Sequence, residues 1–166
     1  PGGFGIASVS YTGIENVTGR NNAGFGDVLS GNADNNVING LAGNDTLDGG
    51  GGHDTLNGGD GNDVITGGVG NDILDGGNND DSFFFVGAIS FAAASGFDTI
   101  HNFVLASGDV INLQDLSATG SWSVAEIGAD SLFSFFDADV NVFANTAQVL
   151  VTGVTGLVQG TDFNII

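Results

Sequence analysis

Aspartates recur every nine residues through the middle of the chain, each just after a glycine-rich stretch. The phased positions are Asp45, Asp54, Asp63, Asp72 and Asp81. The short side chain of aspartate suits tight turns, where its carboxylate can chelate a cation such as calcium or hydrogen-bond the nearby backbone. The alternative is that these are Asp-Gly turns of an ordinary β-protein. Five copies in one phase favour repeated calcium sites.

The residues around each aspartate form a nine-residue unit. Cutting from Gly40 gives GLAGNDTLD, GGGGHDTLN, GGDGNDVIT, GGVGNDILD and GGNNDDSFF. A large apolar residue stands two places after each aspartate, at Leu47, Leu56, Ile65, Leu74 and Phe83. Six turn residues rich in glycine, followed by three residues of x-apolar-x, predict a turn and a short strand with one inward side chain.

Stacking is required because one unit cannot bury its apolar side chain alone. Two units, read as strand-turn-strand-turn, complete one coil, so two parallel sheets should face each other with turns along both edges. The repeat decays towards the N-terminus, where Asn36 takes the aspartate position and Asp27 and Leu29 remain in phase. Twelve residues separate Val17 from Leu29, so the register should slip by three there.

The charge balance narrows the function classes. There are 20 acidic residues against one basic residue, Arg20, and the net charge is −19. Phosphates could not be neutralised, which excludes nucleic acid, and anionic membranes and polyanionic substrates are disfavoured. A packed core is available, because 41% of the residues are hydrophobic. Cysteine is absent, so no disulfide can hold the fold against the repulsion between carboxylates, and bound cations are the expected means of offsetting it. The longest apolar run, residues 83–97, is interrupted and shorter than the roughly 20 residues of a membrane span, and predicts a buried strand and a loop.

The units GGDGNDVIT and GGVGNDILD match the pattern GGxGxDx(apolar)x without interruption. The chain thereby resembles the RTX (hemolysin-type) calcium-binding nonapeptide-repeat family. FDTIHNFVLASGDVINL resembles the segment after the repeats in serralysin-type proteases and other type I secreted RTX proteins, with Asn102 at a usual aspartate and one extra residue before Asp109. The resemblance implies an all-β fold: a right-handed parallel β-roll capped by short, mainly antiparallel, C-terminal strands.

The resemblance also implies where calcium is held, between turns stacked on one edge. One edge would carry Asp27, Asp45, Asp63 and Asp81, and the other Asn36, Asp54 and Asp72. Turn carbonyls would complete the sites, from Gly40, Ala42, Gly43, Gly49, Gly50, Gly51, Gly52, Gly58, Gly59, Asp60, Gly61, Gly67, Gly68, Val69, Gly70, Gly76 and Gly77. Asp98 and Asp109 match aspartates that bind calcium after the repeats in serralysin-type relatives. About three to five calcium ions are expected.

Other polar residues favour plainer interpretations. Asp48, Asn57 and Asp75 should project outward from strands, and His53 and His101 should lie at the surface. Residues 137–148 resemble half an EF-hand loop, but Val142 and Gln148 stand where glycine and glutamate are required, which favours a turn. No HExxH, GxSxG, cysteine nucleophile or phosphate-loop lysine is present, so we expect no catalysis.

The sequence predicts three regions: degenerate repeats over 1–26, the β-roll over 27–84, and a β cap over 85–166. We expect a piece of a longer protein, since Pro1 begins the chain without a methionine or a signal-peptide pattern. The resemblance implies that the protein is secreted and that the cap carries the secretion signal, and we expect a monomer. The expected function is calcium-triggered folding outside the cell in support of type I secretion, with calcium and the type I secretion machinery as partners. The alternatives are a carbohydrate-binding R-module of an alginate-active enzyme, with a glycan partner, and the terminal anchor of an RTX adhesin.

Overall fold

A computed structural model describes residues 8–10, 16–21, 23–86, 97–104, 108–114, 121–127, 130–136, 146–153 and 163–165. Strands are the regular structure of this part of the chain. They are β1 (Ser8–Ser10), β2 (Asn16–Thr18), β3 (Val28–Ser30), β4 (Val37–Ala42), β5 (Thr46–Gly51), β6 (Thr55–Asp60), β7 (Val64–Val69), β8 (Ile73–Asn78), β9 (Ser82–Val86), β10 (Phe97–His101), β11 (Val110–Gln114), β12 (Ser121–Ile127), β13 (Asp130–Phe136), β14 (Thr146–Val151) and β15 (Phe163–Ile165).

Successive strands from β1 to β11 alternate between two sheets. One sheet has the order β1-β3-β5-β7-β9-β11-β15, and the other has the order β12-β13-β14-β10-β8-β6-β4-β2. Neighbouring strands of the repeats are parallel, and Leu47 lies opposite Ile65 while Leu56 lies opposite Leu74. Each coil therefore adds one strand to each sheet. This confirms the predicted all-β parallel roll.

The core is a column of the repeated apolar side chains between the two sheets. Leu47, Leu56, Ile65 and Leu74 are all fully buried, as is Phe83. The next residue in each strand points outward, because side chains alternate across a strand. Burial of this column is the main apolar contribution to the fold, at roughly 25 cal/mol per Å².

The strands are longer than the sequence predicted. Strands β4 to β8 have six residues each, not three, and run into the glycines of the next unit. Gly50 pairs with Gly68 in register, and both have positive φ, 94° and 101°. Glycine tolerates this conformation without steric cost, so the ladder continues where a side chain would break it. The true turn shortens accordingly.

The predicted three-residue shift in the register of the repeat falls between β2 and β3. Val17 lies opposite Ile38 in the sheet, and the longer connection between β2 and β3 takes up the extra residues. Both side chains remain buried, at 4% and 0% exposure. The apolar column therefore extends through the degenerate repeats.

At the other end the two sheets continue past the repeats. Strands β10 and β11 pair in parallel with β8 and β9, and β14 and β15 then pair in parallel with β10 and β11. Antiparallel pairing among the described strands is confined to β12-β13-β14, so the cap is mixed where mainly antiparallel strands were expected. The rings of Phe83 and Phe103 pack with centroids 6.0 Å apart at this end of the core. None of the described residues forms a helix long and apolar enough to span a membrane.

Candidate metal sites along the turns

The phased aspartates form two columns, one along each edge of the roll. We call Asp27, Asp45, Asp63, Asp81 and Asp109 the first column, and Asn36, Asp54, Asp72 and Asp98 the second column. In the first column, each backbone N–H donates to Oδ1 of the next member, at 2.6, 2.7, 2.9 and 2.9 Å in order. The second column repeats this at 2.7, 2.9 and 2.9 Å. The predicted sharing of an edge by alternate units is therefore present.

The second oxygen of each central carboxylate has no such partner. Among the described residues, five buried side-chain oxygens lack a hydrogen bond. They are Oδ2 of Asp45, Asp54, Asp63, Asp72 and Asp81. Leaving a buried carboxylate oxygen without a donor or a cation is strongly unfavourable. The five positions therefore fit a bound cation.

Backbone carbonyls converge on the same points. A Cβ added at Gly58 would meet Oδ2 of Asp63 and would lie 2.6 Å from the carbonyl oxygen of Gly76. Gly49 is equivalent on the other edge, facing Asp54 Oδ2 and lying 2.5 Å from the Gly67 carbonyl by the same measure. Each glycine thus leaves open a space that a carboxylate and a carbonyl of the next coil both face. Calcium takes such mixed oxygen ligands at about 2.3–2.6 Å.

Further turn carbonyls face the neighbouring coil. A Cβ at Gly61 or Gly70 would meet the carbonyl of Gly43 or Gly52. The carbonyl of Leu41 faces Gly59 in the same way, although Leu41 was not among the predicted carbonyl ligands. A carbonyl ligand does not depend on its side chain, so the position in the unit was the signal to use.

The carbonyl of Asp60, by contrast, accepts a hydrogen bond from the Gly43 N–H at 2.9 Å. Its side chain is exposed and accepts from Asn78 Nδ2 at 2.7 Å. The geometry gives Asp60 a role in joining coils. The ligand roles of this and the other predicted carbonyls stay predictions.

Asp98 and Asp109 continue the two columns despite the altered spacing. Asp98 follows Asp72 after 26 residues, and Asp109 follows Asp81 after 28, yet both accept the N–H of the preceding member. Both are buried, at 5% and 2% exposure. Oδ2 of Asp109 also accepts the N–H of Val104 at 2.7 Å. The extra residue before Asp109 therefore does not displace it from its column.

Burial dominates the electrostatics of the columns. It raises the pKa of Asp54 and Asp63 to about 6, that of Asp81 to about 7 and that of Asp98 to about 8. The backbone N–H bonds oppose this shift but do not cancel it. Without a cation, these carboxyls retain protons towards neutral pH. A bound divalent ion would favour the ionised form instead.

The residues expected to project outward from the strands are at least partly exposed. Asp48 and Asn57 are exposed, and the partly exposed Asp75 accepts from Asn102 Nδ2 at 2.8 and 3.0 Å. Asn102, which stands where the family usually has an aspartate, therefore donates a hydrogen bond to a residue of the neighbouring strand β8. Within the described ranges, no three His, Cys, Asp or Glu side chains are grouped as a metal site. A cation in these turns would rely on carbonyls as well as carboxylates.

Both histidines make backbone or side-chain contacts near the surface. His53 is exposed, and its Nδ1 accepts the N–H of Asn71 at 2.9 Å. His101 is partly exposed, and its Nδ1 lies 2.8 Å from Thr152 Oγ1. Residues 137–145 of the EF-hand-like segment lie outside the described residues, whereas residues 146–148 begin β14. Residues 87–96 of the apolar run 83–97 also lie outside the described residues.

Comparison with known proteins agrees with this arrangement. The family model of the RTX calcium-binding nonapeptide repeat matches residues 23–56 and 48–83. Among solved structures, the AlgE6R2 subunit of the Azotobacter vinelandii mannuronan C5-epimerase is 24% identical, with 75% of this chain and 83% of that chain covered and a TM-score of 0.55.

Extracellular lipase LipA from Serratia marcescens is 14% identical over 95% of this chain and 41% of its own, with a TM-score of 0.43. No match was found among curated proteins. The first structure supports the fold alone, and the sequence match identifies the repeats. Over residues 23–83, the chain therefore carries the calcium-binding nonapeptide repeats of the RTX family.

Proposed function

We propose that this chain is a non-catalytic RTX domain that folds on binding calcium outside the cell and supports type I secretion and the stability of a larger secreted protein. The observation that carries the proposal is the set of five buried, unpaired carboxylate oxygens along the turns. A bound cation would complete them, and the chain has only one Lys or Arg that could supply the positive charge instead.

Each unpaired oxygen marks one proposed calcium site between its own turn and the next turn on that edge. Asp45, Asp63 and Asp81 would each hold one ion on the first column, and Asp54 and Asp72 would do so on the second. Carbonyls such as those of Gly58 and Gly76 would complete the ligand sets. The sites of Asp72 and Asp81 would then lie next to Asp98 and Asp109, which continue the two columns.

Electrostatics link these sites to secretion. Ten aspartates and no lysine or arginine lie between Gly31 and Asp81. At low cytosolic calcium, burying these charges is unfavourable, so the segment would remain unfolded and exportable. Extracellular calcium modules bind with Kd of about 10⁻⁴–10⁻³ M, which matches calcium outside cells. The division into degenerate repeats, roll and cap belongs to the same proposal.

Circular dichroism in EDTA and on titration with calcium tests the proposal. We expect coil in EDTA and β-structure at millimolar calcium. Magnesium should be much less effective, because it requires near-ideal octahedral geometry and dehydrates reluctantly. Equal β-structure and equal thermal stability in EDTA would contradict calcium-dependent folding.

A second candidate is glycan binding, favoured by an open groove of about 660 Å³ on the outer face of the β4-β6-β8 side. Asn57, Asp75 and Asn78 offer hydrogen bonds along it, and Leu41 and Val104 add apolar surface. The structurally similar epimerase subunit belongs to an enzyme named for a polysaccharide. The −19 net charge favours uncharged glycans. A glycan array with and without calcium, repeated with Asn57→Ala, distinguishes this function.

A further inference from the structure

The N-terminal end of the first column differs from its interior. The backbone N–H of Arg20 donates to Asp27 Oδ2 at 2.6 Å. The Arg20 guanidinium donates to Asp27 Oδ1 through Nε at 3.2 Å and through Nη2 at 3.0 Å. Both carboxylate oxygens of Asp27 therefore have donors, whereas Oδ2 of Asp45, the next member, has none.

Arg20 is the sole lysine or arginine among the 166 residues, and it lies at this carboxylate. The Asp27 side chain is only 4% exposed, so the pair is shielded on one side from solvent screening. The charge of the Asp27 carboxylate is thus balanced by a group of the chain itself.

The second column ends in a comparable way. Asn36 replaces the carboxylate with a neutral amide, and its Oδ1 accepts the N–H of Asn32 at 2.8 Å. Its own N–H still donates to Asp54 Oδ1 at 2.7 Å, just as that of Asp27 donates to Asp45 Oδ1 at 2.6 Å. Both columns therefore begin with a rung that has no net charge and retains the N–H needed by the next carboxylate.

We propose that Arg20 takes the place of a calcium ion at the N-terminal end of the first column, so that the rung of Asp27 closes without metal. This inference rests on the proposed calcium function. Calcium loading then begins at Asp45 on one edge and at Asp54 on the other. Asp27 positions Asp45 through its N–H and holds no ion of its own.

The test counts calcium ions bound to the full chain by native mass spectrometry, and follows the Asp27 amide by hydrogen exchange. Arg20→Gln should expose the Asp27 carboxylate, and we expect one additional, weakly bound ion. In Arg20→Gln, the calcium concentration needed to protect the Asp27 N–H from exchange should be higher than in the unchanged chain. Arg20 is 56% exposed, so its replacement leaves the core intact.

The double variant Arg20→Gln/Asp27→Asn is the matched control, because it copies the amide rung at Asn36. It should bind no additional ion. Asp27→Asn alone should bind as many ions as the unchanged chain, whereas Asp45→Asn should bind one fewer.

An unchanged ion count and unchanged exchange in Arg20→Gln would overturn the inference, as would the loss of an ion in Asp27→Asn. Both results leave the proposed function standing if the unchanged chain binds calcium. Absence of calcium binding by the unchanged chain would instead overturn the proposed function itself.

Discussion

Replacement of Asp63 separates the two tasks that the structure gives to one carboxylate. Its Oδ1 accepts the N–H of Asp45 at 2.7 Å, and its Oδ2 is buried without a partner and faces the Gly76 carbonyl. Asp63→Asn retains an oxygen for the Asp45 N–H and removes the charge. Asp48→Asn is the control, because Asp48 is exposed on the outer face of the same roll.

The expected loss follows from binding linkage. A site of Kd about 10⁻⁴ M contributes about 2.7 kcal/mol when calcium is 100-fold above Kd. Asp63→Asn should therefore lower the free energy of unfolding by about 2.7 kcal/mol at 10 mM calcium. Asp63→Ala also removes the charge-assisted hydrogen bond to the Asp45 N–H, which adds about 1.5–3 kcal/mol. Asp48→Asn should stay within about 0.5 kcal/mol of the unchanged chain.

The assay is urea unfolding at several fixed calcium concentrations. The difference between the unchanged chain and Asp63→Asn should widen by about 1.4 kcal/mol for each tenfold rise in calcium, as expected for one lost ion. It should fall to about 0.4 kcal/mol as calcium falls to Kd, because a half-occupied site contributes little stability for the variant to lose. A difference that is constant across calcium concentrations would refute the assignment of an ion to Asp63, as would an equal loss in Asp48→Asn.

Three further results are expected. Leu41 has φ 82° at a position where other units have glycine, so Leu41→Gly should raise stability by about 1 kcal/mol in urea unfolding, and a loss would contradict backbone strain. Gly58→Ala should remove one calcium ion in titration calorimetry, because its Cβ would enter the space facing the Gly76 carbonyl. Gly51→Ala should not, because its nearest neighbour would be 3.7 Å away, and equal effects would argue against the cradle. Without calcium, burial raises the pKa of Asp81 to about 7 and of Asp98 to about 8, above the ordinary 3.8. The contribution of these two groups to folding stability is then greatest below about pH 4 and is lost as pH rises to about 8. The amount of β-structure in EDTA should therefore increase on acidification from about pH 8 to about pH 4, and a decrease over this range would refute the expected direction.

The architecture could be predicted because the aspartates and the apolar residues recur with the same nine-residue spacing. An apolar residue two places after each aspartate fixes both the inward face and the edge on which the carboxylate lies. The register of Leu47 opposite Ile65 follows once alternate units share a sheet. The length of the strands was predicted wrongly, because the glycines that follow each apolar residue were assigned to turns. In this roll, Gly50 and Gly68 pair within the ladder.

The ends of the columns lay beyond sequence reasoning for a different reason. Asp98 and Asp109 join their columns after 26 and 28 residues, and no period predicts how an irregular connection returns. The contact of Arg20 with Asp27 spans seven residues across the register slip, where the repeat no longer fixes positions. The sequence shows Arg20 as the one lysine or arginine, but gave no sign of its partner, which only the structure shows.

The hydrogen bonding of the columns gives a physical reason for the proposed dependence of the roll on an external ion. The stacking supplies each interior carboxylate with one backbone N–H, and that donor satisfies Oδ1 alone. Among the described residues, the Oδ2 atoms of the five central carboxylates have no donor, and the space beside each neighbouring glycine stays open. Under the proposed function, each further unit therefore adds one buried apolar side chain and one carboxylate that needs a cation. Stability would then grow with length only in the presence of calcium, except at an end where the chain supplies its own neutral partner, as at Asp27 and Asn36.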